Sequence, residues 1–419
     1  MNINSKLTDK ILIFLVLIFP LIILFRSTAI NFFSFLIVVV YLLNFSSDQY
    51  KYINKCNLKY CFIFIGILIL STLIESGLNK NFYKSIALIK MPILLIAVIY
   101  TFHNITKYNF SNKLLIFLGI FFIFFLFDIL IQFLFNKNLF GFEPGMCDAN
   151  MNCSRFSGMF KDELIAGSYI SLILIPFFLT LNLLIKKKFM NFIPLIIFFI
   201  TLLTGERAAL ILSFSFCLIF YFFKLKTKKA RVIMTFLFLI LIFIASLSLP
   251  QQTMTRYTKD LKKLFIIEKN EIKFSENNYW FKHYSAAIKI FLDKPFLGNG
   301  LKSYRVKCKK YEQYNDGKSN EVCTTHPHNF YLEVLTDTGL IGFSVFLIFL
   351  VYFITPKFKN LNNFQDKIVL IYLIVVIFFP RPTGSIFSTY FLSLFIYCIG
   401  MLYSLIGLKE NSFDKFLKN

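Results

Sequence analysis

Apolar runs of roughly twenty residues recur along this chain, and no other feature constrains its fold so strongly. A backbone in lipid must satisfy its own hydrogen bonds, so each such run is expected to be a spanning helix. The runs fall near residues 11–25, 29–45, 60–78, 85–102, 114–136, 164–185, 189–204, 207–223, 232–249, 336–355, 367–380 and 385–407. None reads as a strand pattern or as a soluble amphipathic helix. The expected fold class is therefore all-α: a polytopic integral membrane protein with about 12 transmembrane helices. Composition agrees, because 57% hydrophobic residues and a mean hydropathy of +0.68 exceed what one soluble core of 419 residues would hold. The first run follows Lys6 and Lys10 as a signal peptide would, but no small-residue cleavage site follows it. It is read as the first spanning helix.

The net charge of +23 invites a nucleic-acid partner. We expect none, because the lysines lie mostly between apolar runs, where positive charge sets membrane orientation. With the amino terminus inside, the short inward segments carry Lys6, Lys10, Lys51, Lys55, Lys59, Lys107, Lys113, Lys186 to Lys188, Lys224, Lys226, Lys228, Lys229, Arg231, Lys357, Lys359 and Lys409. The short outward ones carry Arg26, Lys80, Lys84, Arg207 and Arg381. Both termini are thus expected in the cytoplasm. Residues 1–249 would hold helices one to nine with an outer loop at 137–163, residues 250–328 one large periplasmic loop, and residues 329–419 helices ten to twelve and a cytoplasmic tail. Cys147 with Cys153 and Cys308 with Cys323 fall in pairs in the two outer loops, as suits an oxidising compartment.

The large loop mixes about fifteen Lys and Arg with about eight acids, a balance that suits an anionic lipid. Its stretch Tyr279 to Leu292 has the periodicity of a helix lying against the membrane surface, broken afterwards by Pro295, Gly298 and Gly300. It ends at His326-Pro327-His328-Asn329, directly before the next helix. Histidine is the side chain most easily poised as a base near neutral pH, although a lone loop histidine is more often structural. A metal ligated by His326 and His328 lacks a third ligand at convincing spacing, so no metal site is expected. Arg207 opens a helix at its outer end, where a guanidinium either pairs with a neighbour such as Glu206 or is used. Lys90, Glu75 and Asp128 are ionisable residues inside apolar runs and candidates on the same cost argument, with Lys84 and Lys90 near the outer face.

Thr204-Gly205-Glu206-Arg207-Ala208-Ala209-Leu210, Asp293-Lys294-Pro295-Phe296-Leu297-Gly298-Asn299-Gly300, and His326-Pro327-His328-Asn329 followed by Gly339-Leu340-Ile341-Gly342 resemble, in order, three motifs of the O-antigen ligase and polymerase superfamily. Phe156 to Gly167, with Gly158, Phe160 and Ala166, is a weaker match, and Ile211 stands where the family often has Leu. The resemblance implies an inverting glycosyltransferase, independent of metal and without a cofactor, facing the periplasm from the bacterial inner membrane. Its donor would be an undecaprenyl-pyrophosphate-linked glycan. In the ligase branch the acceptor is a sugar hydroxyl of lipid A core, and the product is lipopolysaccharide. Carried over by position, His328 is the base, Arg207 binds the donor pyrophosphate, and His326 and Asn329 are expected to bind substrate beside them. Arg256 and Arg305 both remain candidates for a further outer-loop arginine, and Lys90 for phosphate contact. The alternatives are an O-antigen polymerase or a protein O-oligosaccharyltransferase of the same superfamily and, more distantly, a lipid-glycan flippase or transporter. The absence of an apparent internal repeat counts against the last.

Overall fold

The computed structural model describes residues 3–43, 56–147, 153–184, 188–262, 265–268, 271–274, 279–312, 323–361, 363–380 and 384–407. Lys51, Lys55, Lys186, Lys187, Arg381 and Lys409 of the orientation argument lie outside them.

Among the described residues, the apolar runs of the sequence fall largely on helix. The first part of the chain forms α1 (Ile3–Ile22), α2 (Ser27–Leu43), α3 (Lys59–Ser76), α4 (Lys80–Ala87), α5 (Lys90–His103) and α6 (Asn109–Phe135), then a short hairpin of β1 (Gly145–Cys147) and β2 (Cys153–Arg155). Next come α7 (Ala166–Tyr169), a π-helical stretch Ile170–Leu174, α8 (Ile175–Leu184), α9 (Ile193–Leu203), α10 (Arg207–Lys224) and α11 (Lys228–Ser248). Then follow α12 (Gln251–Lys262), the hairpin β3 (Phe265–Glu268) and β4 (Glu271–Phe274), α13 (Tyr279–Asp293) and α14 (Ser303–Glu312). The chain closes with α15 (Phe330–Ile354), α16 (Phe364–Phe378) and α17 (Thr389–Leu405).

Among the described residues, five helical segments are long and apolar enough to span a bilayer: Lys59–Ser76, Lys80–His103, Asn109–Phe135, Arg207–Lys224 and Phe330–Asn360. Four further apolar helices, Ser27–Leu43, Ala166–Asn182, Met190–Leu203 and Thr389–Leu405, are shorter. The chain is a multi-pass helical membrane protein. The bundle is knitted together by buried tyrosines. Tyr169 donates to the Pro20 carbonyl (2.9 Å), Tyr397 to the Val16 carbonyl (3.0 Å) and Tyr372 to the Ser171 carbonyl (2.7 Å). Pro20 removes one helical donor from α1, and the π register shifts the bonding around Ser171, so the hydroxyls meet carbonyls that a regular helix would keep to itself.

The described residues between 250 and 328 form helices, a hairpin and turns, and α13 lies where the periodicity placed a helix. The Pro295-to-Gly300 turn anchors this segment to the bundle. Inside α15, Gly339 leaves helical geometry (φ 63°, ψ −168°), which orphans carbonyls before the break and N–H groups after it. The turn satisfies both sets. Asn299 and Gly300 N–H donate to the Thr336 and Asp337 carbonyls (2.9 Å each), while Leu340 and Ile341 N–H donate to the Pro295 and Phe296 carbonyls (2.8 and 3.2 Å). The approach is so close that a Cβ on Gly298 would lie 2.4 Å from the Gly339 nitrogen, and one on Gly339 would lie 2.3 Å from the Phe296 carbonyl oxygen. The fully buried Asp337 carboxylate completes the anchor by accepting from Lys302 N–H (2.7 Å), Ser303 N–H (3.0 Å) and the Ser303 hydroxyl (2.6 Å).

Other intramembrane ionisable residues serve the same end. Glu75 on α3 pairs with Lys294 and with Lys307 (2.6 Å), from the segment between α13 and α15. Asp128 on α6 accepts from the Asn138 side chain and Leu139 N–H (3.0 Å each), shaping the turn that follows. Both were candidates on desolvation cost alone, and the structure accounts for that cost through these partners.

Candidate active site

The β1–β2 hairpin is closed by a Cys147–Cys153 disulfide. It packs its Ser154 carbonyl against the turn between α9 and α10, where Gly205 has φ +66° and a Cβ would come within 2.3 Å of that oxygen. Two arginines are thereby brought together: Arg155 from the hairpin and Arg207 from the start of α10. Glu206, buried as the N-cap residue of α10, accepts from Gly167 N–H (2.7 Å), Ser168 N–H (3.1 Å) and the Ser168 hydroxyl (2.8 Å). Burial lowers the pKa of Arg155; the Glu206 charge opposes the shift and the Arg207 charge adds to it. A guanidinium nonetheless stays protonated, so the two like charges face one space.

That space is a cavity of about 790 Å³. Among the described residues its walls carry five cationic side chains, Arg26, Arg155, Lys161, Arg207 and Arg256, against three carboxylates, Asp162, Glu163 and Glu206. His326, His328 and Trp280 line the same cavity. The excess of positive charge, concentrated in forked guanidinium donors, matches phosphate oxygens.

The histidines are placed by a disulfide and a strained backbone. Cys323 pairs with Cys308 on α14, tethering the segment that leads to His326. His328 takes a left-handed φ of +52°, an uncommon conformation for a residue with a side chain. Its ring centroid lies 4.3 Å from that of His326, 5.1 Å from that of His283 and 5.3 Å from that of Trp280. His283 is fully buried on α13, its Nδ1 2.7 Å from the Tyr304 hydroxyl. Burial and then the His328 charge push the pKa of His283 down to about 4, and burial also lowers that of His328. Two neighbouring imidazoles that resist protonation leave His328 neutral and able to accept a proton at neutral pH.

Of the residues expected from sequence, His328, His326, Arg207 and Arg256 therefore meet in one cavity. Three are placed elsewhere. Asn329 is the N-cap of α15, accepting from Tyr331 and Leu332 N–H. Arg305 lies exposed on α14, and Lys90 donates to the Asn31 side chain (2.8 Å). Sequence reasoning missed Arg155, Arg26, Trp280 and His283. Arg155 lies directly before the weakly matching Phe156-to-Gly167 segment, and Trp280 is the chain's single tryptophan within the amphipathic stretch; these were the available signals.

A family model described as O-antigen ligase matches residues 192–347. The matched stretch contains Arg207, Arg256, Trp280, His326 and His328 of the cavity wall, together with His283 and the Gly298–Gly339 anchor, whereas Arg26, Arg155 and Lys161 of the same wall lie before it. No curated protein matches the chain.

Proposed function

We propose that the protein is an O-antigen ligase, which transfers a glycan from an undecaprenyl-pyrophosphate donor to a sugar hydroxyl of lipid A core at the periplasmic face of the bacterial inner membrane. The observation that carries this reading is one cavity lined both by guanidinium groups and by His328, whose neutral form burial favours. Arg207, with Arg155 and Arg256 beside it, holds the pyrophosphate. His328 takes the proton of the acceptor hydroxyl as that oxygen attacks the anomeric carbon. The bond from this carbon to the phosphate oxygen breaks, and undecaprenyl pyrophosphate departs with the bonding electrons. Attack opposite the leaving group inverts the anomeric configuration. Pyrophosphate is a good leaving group whose developing charge the arginines stabilise, so the step proceeds without a metal ion or cofactor.

The test is transfer in vitro from a defined lipid-pyrophosphate donor to core, with EDTA present. Wild-type protein should form product, whereas His328→Ala and Arg207→Ala should each lose at least a hundredfold in kcat/KM while still inserting into the membrane, in line with the usual effect of removing a general base or a charge-stabilising donor. Full transfer by His328→Ala would sink the mechanism. Deletion of the gene separates the neighbouring reactions. Loss of a ligase leaves long chains on the lipid carrier, loss of a polymerase leaves single repeats on core, and loss of a protein O-oligosaccharyltransferase removes glycan from protein.

A further inference from the structure

Trp280 opens α13 and stands half-buried in the cavity wall. The Arg207 guanidinium carbon lies 6.0 Å from its ring centroid, and the His328 ring meets it nearly perpendicularly at 5.3 Å and 86°. In the reaction proposed above, the anomeric carbon carries phosphate on one side and receives the acceptor oxygen from the other. The ring being transferred must therefore lie between the group that holds phosphate and the group that takes the acceptor proton. The indole borders both. We propose that Trp280 is the platform on which the donor's first sugar, the ring bonded to pyrophosphate, stacks during transfer.

The chemistry of the two faces is complementary. A pyranose presents a flat, apolar set of C–H groups with a slight positive polarity, and the indole face carries the negative lobe of its quadrupole. A tryptophan also supplies this area at low entropic cost, having two side-chain torsions to fix. The platform is held in place from behind. Ala286, Ala287 and Ile290 of α13 pack with Tyr304 and Cys308 of α14, and His283, one turn after Trp280, is fixed against the Tyr304 hydroxyl. Residues three apart share a helix face, so anchoring His283 also orients Trp280.

The proposal rests on the donor reading and can fail separately from it. Because Trp280 is the chain's single tryptophan, its emission reports on this site alone. Full-length protein in lipid nanodiscs would be titrated with undecaprenyl pyrophosphate bearing one hexose and with undecaprenyl pyrophosphate bearing none, and acrylamide quenching recorded. The sugar-bearing lipid should shield the indole and the bare lipid should leave it accessible. Trp280→Leu should lower kcat/KM for the sugar-bearing donor about tenfold while changing inhibition by bare lipid less than twofold, and Trp280→Tyr should restore most of the loss. Equal shielding by both lipids, or equal weakening of both by Trp280→Leu, would overturn the platform and leave the donor reading standing. Binding of neither lipid to wild-type protein would overturn both. The wild-type quenching measurement decides the matter even where Trp280→Leu fails to fold.

Discussion

His328 owes its chemistry to neighbours that are remote in sequence. A loop histidine in water would titrate near its usual pKa of about 6.5, but burial against Trp280, His283 and His326 favours its neutral form. The base must be neutral to act, so a depressed pKa extends activity to lower pH. The acid limb of kcat/KM should accordingly lie below 6.5, with activity held as pH falls through that value and lost beneath it. A profile that already halves at 7 or above would contradict a half-buried His328 whose neutral form is favoured. At this scale the sequence was legible in part. The His-x-His-Asn motif pointed to His328 and His326, and both line the cavity. Asn329 belongs to the same motif, yet its side chain caps α15, because a residue directly before a helix has two unsatisfied N–H groups within reach. Arg155 could not be distinguished from other outer-loop cations by sequence, since only the hairpin and its contact with Gly205 carry it to Arg207.

At the level of elements, two motifs that look like one site prove to be a mechanical joint. The Pro-x-x-Gly-x-Gly turn and the Gly339 break answer each other's unmet backbone hydrogen bonds, and neither glycine leaves room for a methyl group. Gly339→Ala adds a Cβ 2.3 Å from the Phe296 carbonyl oxygen at a φ of +63°, so it should lower stability by about 2–4 kcal/mol through strain and lost hydrogen bonds. Thermal unfolding in detergent would read this, and a melting temperature within a degree of wild type would refute the joint. The Cys308–Cys323 disulfide acts at the same level, since it holds the segment before His326 to the helix that supports His283. Cys308→Ser with Cys323→Ser should therefore reduce kcat at least as strongly as it reduces stability. Unchanged turnover in the double variant would show that the histidine segment needs no tether. The cysteine pairing itself was visible as two close pairs, although spacing alone left the bonds open.

Over the whole molecule, the proposed orientation puts the cavity and residues 250–328 outside. Single cysteines at Lys302 and Lys226 in a chain stripped of its native cysteines should differ in reactivity with an impermeant maleimide. The first should label in intact spheroplasts, and the second only after lysis. Labelling of Lys226 from outside would invert the topology. The hydropathy pattern by itself determined that this chain is a helical, multi-pass membrane protein, because an apolar run in lipid has no alternative to satisfying its own backbone. Periodicity also marked the helix that α13 forms, and the His-x-His-Asn motif marked the two histidines. Only the tertiary structure decided which charges share a space. Glu75 and Asp128 bind the turns and segments beside them, Lys90 turns to Asn31, and Arg155, Arg207, Arg256 and His328 line one cavity. The reason is physical: periodicity reports the solvent each helix face meets, whereas the partner of a charged side chain is set by which helix ends and turns are brought together.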